Sequence, residues 1–393
     1  MNKEYTYLLK ALRGFVKGKN PGTFDGDWMK LIRLADIHSV TGILGYMVMN
    51  YPDDSNSTVK ELLRRQCLRT IAIYSQRAEK MKILSEQMKK QDIDHLLFKG
   101  YIVRDYYPVP ELRSFSDIDF LIHPKDRKKS DELMKKMGFK RKTDWEPVYS
   151  YYNQTEYYEI HTDVMEVDVS EKADYRGYFQ HIWEHTEMID SHVYELDPEY
   201  HLLYLLTHIA KHISGSGAGV RMYLDIALFI QYFRDSLDWH YIRRELDKLC
   251  FRDFSNMVFT VVERYFGVKS PIPLSIVKEA VLEDFMNYTL SGGTFGHVGR
   301  DAGLIVLKNQ SRKEENISRL SIFFKRLCAP ADELEKRYTY LKGHHWLLPA
   351  AWIHRLIKTR DTWSDHAKEA KSIMNTKSEE ILKLKRIYKR IGL

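Results

Sequence analysis

Within LLFKGYIVRDYYPVPELRSFSDIDFLI, residues 96–122, two aspartates stand one residue apart, Asp117 and Asp119. On an extended strand successive side chains alternate between faces, so both acids share one face while Ile118 and Phe120 take the other. Like charges at that spacing repel and shift each other's protonation unless a cation lies between them. A divalent ion resolves the conflict. Mg²⁺ is a hard ion that takes oxygen ligands, commonly carboxylates together with substrate phosphates, and a two-ion site sets its ions about 4 Å apart. A third acid on a neighbouring strand would complete it. The plain alternative for the pair is a solvated strand edge or turn.

A small sheet is needed to carry these acids, and the sequence predicts one between two helical regions. From Met1 to about Gln91 apolar residues recur at three- and four-residue spacing, in WMKLIRLADIHSVTGILGYMVMN and VKELLRRQCLRTIAIYSQRAEKMKILSEQMKK, with a break at Pro52, Asp53 and Asp54. The period then changes. Ile93, Leu96, Leu97 and Phe98 form a short strand ending at Lys99-Gly100, and a second strand covers Ser116 to Ile122. Residues 125–138 predict an amphipathic helix closed by Gly138. Tyr149 to Val169, rich in aromatic and β-branched residues, predicts two further strands, with YYEIHTDVM in the first of them. From about Asp197 helices return, beginning with DPEYHLLYLLTHIAKHI, in which Pro198 suits the first helical position. The expected fold is α+β: a helical region at 1–91, a small mixed-sheet core at 92–195 and a C-terminal helical domain at 196–393.

Composition sets broad limits. The 393 residues with 44% hydrophobic side chains form a large core, and the net charge of +7 tolerates a nucleotide or polyanion without calling for nucleic acid. Cys67, Cys250 and Cys328 lie far apart, which argues against a disulfide framework or a cysteine zinc site and fits a reducing cytoplasm. No segment approaches the roughly 20 apolar residues of a membrane helix, and the N-terminus lacks the apolar run of a signal peptide.

Lys99-Gly100 after an apolar strand, then Tyr107-Pro108, Arg113 and Asp117-Ile118-Asp119 resemble the core of the polymerase-β-like nucleotidyltransferase superfamily. The resemblance is greatest to an uncharacterised bacterial family of that superfamily, and it extends over YEIHTDVM (158–165), HIAKHISGSGAGVRMYLDIALFI (208–230) and LKGHHWLLPAAWIHR (341–355). It implies transfer of a nucleoside monophosphate from an NTP to a hydroxyl of a small molecule or a protein, with two Mg²⁺ ions (or Mn²⁺) and release of pyrophosphate. A member that keeps the fold and only binds a nucleotide or a partner protein is the alternative. Carried over, Gly100 takes the turn position, Asp117 and Asp119 become metal ligands, and Glu159 of YYEIH becomes the third acid, as general base or ligand, with Glu166 and Asp168 as rivals. Two departures stand out. Tyr101 replaces the usual serine after the glycine, and the interval from Gly100 to Asp117 is longer than the superfamily's.

Other residues fit the same reading. Lys99 offers positive charge to a triphosphate, and Arg113 either steadies phosphates or neutralises the aspartates. Lys211, His212, Arg221 and Asp225 are candidates for nucleotide contact from the helical domain. His161 lies two residues beyond Glu159, hence on the same face, where it hydrogen-bonds to the site or simply fills it. The 208/212 histidine pair has metal spacing, but Ile209, Ala210 and Lys211 put no acid in the HExxH place, so the helix reads as packing. SGSGAG (214–219) and SGGTFG (291–296) read as interhelical turns rather than phosphate cradles. In KSEEILKLKRIYKRIGL, Ile381, Leu384, Tyr388 and Ile391 share a face that packs on the body, the alternative being an anionic surface.

Overall fold

The computed structural model describes residues 1–51, 57–115, 117–142, 147–165, 169–215, 217–294, 331, 334, 338–341, 343–358 and 386–393. Residues 1–296 and 391–393 form one compact unit and residues 297–390 a second.

The first unit opens with α1 (Lys3–Lys17), α2 (Trp28–Ile37), α3 (Thr41–Asn50) and α4 (Ser57–Lys89). Their ends follow from local chemistry. The Asn2 side chain accepts from Tyr5 N and the Asp27 carboxylate from Met29 N and Lys30 N, while Gly18 closes α1 in the left-handed region at φ 61°. The proline-containing break expected at 52–54 lies outside the described residues.

The sheet follows: β1 (His95–Leu97), α5 (Gly100–Val103), β2 (Ile118–Ile122), α6 (Arg127–Lys136), β3 (Lys140–Arg141), β4 (Val148–Tyr152), β5 (Tyr157–His161), α7 (Tyr175–Phe179), β6 (Thr186–Asp190) and β7 (Val193–Leu196). Its order is β3-β4-β5-β2-β1-β7-β6. β2 runs parallel to β5 and β1 parallel to β7, whereas β1/β2, β3/β4, β4/β5 and β6/β7 are antiparallel. This is the mixed sheet of the expected α+β class. Two details differ from expectation. YYEIH forms the second strand of its pair, after Val148–Tyr152, and the hairpin β6/β7 widens the sheet where no strand was expected.

One face of the sheet buries Ile118, Phe120, Ile122, Tyr158 and Ile160 against Met81, Leu84 and Met88 of α4 and Leu133 and Met134 of α6. Each fully buried large apolar side chain contributes roughly 1.5–3 kcal/mol. The opposite face meets α8 (Pro198–Ser214), where the Phe98 ring lies 5.5 Å from that of Tyr204, centroid to centroid. Then come α9 (Val220–Phe233), α10 (Trp239–Lys248), α11 (Arg252–Val261) and α12 (Glu279–Ser291). The second unit contains α13 (Leu348–Lys358) and a small core of Leu334, Tyr338, Leu341 and Ala351. Of the C-terminal stripe, Tyr388 and Ile391 are buried, and Ile381 and Leu384 lie outside the described residues.

Candidate active site

The parallel register between β2 and β5 sets Asp119 directly opposite Glu159. Alternation sends Ile118 and Phe120 into the core, so Asp119, Glu159 and His161 emerge together on the α8 face. Asp117 lies one residue before the strand rather than on it, yet lines the same cavity. Glu166 and Asp168, the rival third acids, lie outside the described residues.

Asp119 is the centre of the cluster and is buried. Its Oδ1 accepts from Lys99 Nζ at 2.6 Å and lies 2.9 Å from His161 Nε2. Since an ionised carboxylate only accepts, Nε2 is the protonated ring nitrogen of His161. Burial alone would raise the Asp119 pKa, but the Lys99 charge and the His161 hydrogen bond outweigh it and hold the carboxyl well below its usual range. Glu159 has no such cation beside it. Burial, and then the negative charges of Asp119 and Asp117, push its carboxyl up to about 7. His161 Nε2 is also 3.8 Å from Glu159 Oε2.

Lys99 reaches Asp119 from a strained backbone, φ 57° and ψ −135°, at the junction of β1 and α5. Such a conformation in a non-glycine residue costs on the order of 1–3 kcal/mol and persists where the surroundings dictate it. The next residue must be glycine for a different reason: a Cβ on Gly100 would stand 2.2 Å from Arg113 Nη1. Arg113 is itself fixed by Asp225 of α9, with Nε to Oδ1 at 3.1 Å and Nη2 to Oδ2 at 2.7 Å, and the Tyr107 hydroxyl donates to the same Oδ1 at 2.6 Å. Arg113 is therefore paired with Asp225, and the Asp117 charge also acts on it. Tyr101, in the position where the superfamily has serine, turns to the core, with its ring 6.3 Å from that of Phe115.

The acids face a cavity of about 320 Å³ whose other wall comes from α8 and α9, with His208, Lys211, His212 and Arg221 among its lining residues. Gly215 and Thr294 also line it, so both glycine-containing loops reach the site. Gly219 is required where these segments meet, because a Cβ there would stand 2.6 Å from Thr294 Cα. Arg221 is buried; its Nη1 donates to Ser114 O at 2.5 Å, while its Nε has no hydrogen-bond partner among the described residues. Burial, then the charges of Lys99, Lys211 and Arg221, push His212 down to about 4. The imidazole is thus neutral near pH 7, leaving lysine and arginine to carry this wall's charge. The cavity brings together Lys99, Gly100, Arg113, Asp117, Asp119, Glu159, Lys211, His212 and Arg221, and also His161 and Asp225. Sequence reasoning missed His208, read there as packing; its ring stands 4.5 Å from that of His212.

A family model described as uncharacterised nucleotidyltransferase matches residues 25–267, more than half of the chain. The chain belongs to this nucleotidyltransferase family. No curated protein and no solved structure matches it. The matched span contains the sheet, its acids and the α8–α9 wall. The carboxylates here fit a divalent cation of the kind nucleotidyltransferases generally use: ligand atoms of Asp119, Glu159 and His161 all lie within 4.8 Å of one another, with His161 Nε2 turned to Asp119. The fit also has an electrostatic sign. Glu159 is pushed up by burial and then by the neighbouring carboxylates, a field that a bound cation relieves.

Proposed function

We propose that this protein is a Mg²⁺-dependent nucleotidyltransferase that moves a nucleoside monophosphate from an NTP to a hydroxyl acceptor, with a small molecule as the first acceptor class and a protein side chain as the second. The single observation that carries the reading is the Asp119–Glu159 register beside Asp117, facing a cavity whose far wall bears Lys211 and Arg221.

Asp117, Asp119 and Glu159 are the residues to hold divalent metal, which when bound supplies charge neutralisation to the phosphates and polarises the reacting oxygens. Lys211 and Arg221 bind the triphosphate across the cavity. The acceptor oxygen forms a bond to the α-phosphorus as the α–β bridging P–O bond breaks, and pyrophosphate departs with that electron pair. Glu159 either completes the metal's donor set or, with Asp117 and Asp119 holding the metal, takes the acceptor's proton. His161 holds Asp119 in orientation through Nε2.

A second reading, a non-catalytic member that binds a nucleotide or a partner protein, is favoured by Tyr101 packing into the core where the superfamily presents a hydroxyl. Calorimetric titration with ATP, GTP, CTP and UTP, with and without Mg²⁺, tests both, on the native chain and on Asp117→Asn/Asp119→Asn. Mg²⁺-dependent binding that the double variant loses supports the enzyme and directs an acceptor screen for pyrophosphate release. Binding without Mg²⁺ dependence or turnover supports the second reading, and no binding of any triphosphate refutes the enzyme.

A further inference from the structure

We propose that Lys99 takes the place of one of the two ions expected at this site, so that each chain binds a single divalent cation. The inference rests on the nucleotidyltransferase reading above and deepens it.

A pair of ions about 4 Å apart needs a carboxylate that offers one oxygen to each ion. Asp119 is the best-placed carboxylate for that task, being buried between Lys99 on one side and Glu159 on the other. Its Oδ1, however, is already engaged twice, by Lys99 Nζ at 2.6 Å and by His161 Nε2 at 2.9 Å. A carboxylate oxygen has about two lone-pair sites, so Oδ1 has none left for a metal. Oδ2 has no hydrogen bond among the described residues and remains available to one ion.

Lys99 is not a surface side chain that has folded inward. Only 16% of its side chain is exposed, and its ammonium stands over the Phe98 ring at 5.1 Å. Its backbone is held at φ 57°, with Val103 N donating to Lys99 O at 3.1 Å. The fold thus spends an unfavourable backbone conformation to aim a cation at Asp119. Lys211 and Arg221 stand on the far wall, apart from this pair, where the phosphates would lie.

The test counts ions directly, with Mn²⁺ as the probe because it shares the oxygen-rich octahedral preference of Mg²⁺. Electron paramagnetic resonance titration of the full chain is expected to give one bound Mn²⁺ per chain with the spectrum of an isolated ion. Lys99→Met frees Oδ1 from the ammonium and is expected to double the count to two, with the exchange-coupled spectrum of adjacent ions. Lys99→Arg keeps the charge and the count of one. Lys99→Gln is the second neutral variant should Lys99→Met fail to fold, as judged by circular dichroism. A coupled pair in the native chain, or a count of one in both folded neutral variants, overturns the inference while leaving the nucleotidyltransferase reading intact. Absence of Mn²⁺ binding by native chain and variants alike refutes the metal-dependent reading and this inference with it.

Discussion

Replacing Asp225 with alanine is expected to cost about 5 kcal/mol of stability, although the residue lies in no sheet and touches none of the three acids. Asp225 and Arg113 are both buried, with side chains 6% and 9% exposed, and their contact is bidentate. With charge centres about 4 Å apart and an effective dielectric of about 20, the attraction is about 4 kcal/mol. Desolvation offsets much of that in the intact pair, but removing one partner leaves the other charge buried and alone, at about 3–5 kcal/mol. The Tyr107 hydroxyl loses its acceptor as well, adding about 1 kcal/mol. Asp225→Asn, which keeps an acceptor and loses the charge, is expected to cost about half as much.

Urea denaturation of the native chain, Asp225→Ala, Arg113→Met and Arg113→Met/Asp225→Leu, read by tryptophan fluorescence, checks these values. The double variant removes both charges and fills the space with apolar atoms, so it is expected to be more stable than Asp225→Ala alone, within about 2 kcal/mol of the native chain. A loss below about 1 kcal/mol for Asp225→Ala, or a double variant no more stable than Asp225→Ala, would refute the claim that this buried pair ties α9 to the Gly100 turn.

Glu159 gives a pH signature. Its folded pKa of about 7 lies above the unfolded value of 4.5, so the folded state holds this proton more tightly. The resulting penalty is absent below about pH 4.5, grows as pH rises, and is complete above about pH 7, where it approaches 3 kcal/mol. Glu159→Gln is therefore expected to melt higher than the native chain at pH 8 and to lose that advantage by pH 5, in calorimetric scans without metal; equal melting points throughout would show that the carboxylates do not crowd one another. Gly100→Ala forces Arg113 aside and is expected to cost about 1–3 kcal/mol in thermal denaturation. Arg221→Gln is expected to weaken triphosphate binding about tenfold or more in calorimetry, with a smaller effect on a nucleoside lacking phosphates.

The Asp117/Asp119 pair was legible because its members are neighbours in sequence and strand alternation is a local rule. Glu159 needed the resemblance to single it out among Glu159, Glu166 and Asp168, since alternation alone marks several acids in that stretch. What each charge pairs with was not legible. Lys99 meets Asp119 across 20 residues, His161 meets Asp119 across 42, and Arg113 meets Asp225 across 112. Those contacts are made by the antiparallel β1/β2 and parallel β2/β5 registers and by the seating of α9, none of which leaves a periodic trace. The β6/β7 hairpin escaped notice for a related reason. β6 exposes Met188 and Ile189 in succession, so it has no alternation, and its turn places His192 rather than glycine or asparagine at φ 60°.

Both arginines of the site were candidates for phosphate contact, Arg113 with neutralisation of the aspartates as its alternative, and they differ in what each already holds. Arg113 is satisfied by a carboxylate in a bidentate pair, so an arriving anion gains little from it and would have to compete with Asp225. Arg221 donates to the carbonyl and hydroxyl of Ser114 and has its Nε unpartnered among the described residues. Burial, then the neighbouring Arg113 charge, pull its pKa down, which is the condition an incoming anion reverses. The same reasoning applied to the acids separates Asp119, neutralised by Lys99, from Glu159, which has no comparable partner. Glu159 on the sheet wall and Arg221 on the helix wall therefore carry opposite charges that their surroundings compensate poorly, the polarity that the proposed metal-bound triphosphate requires.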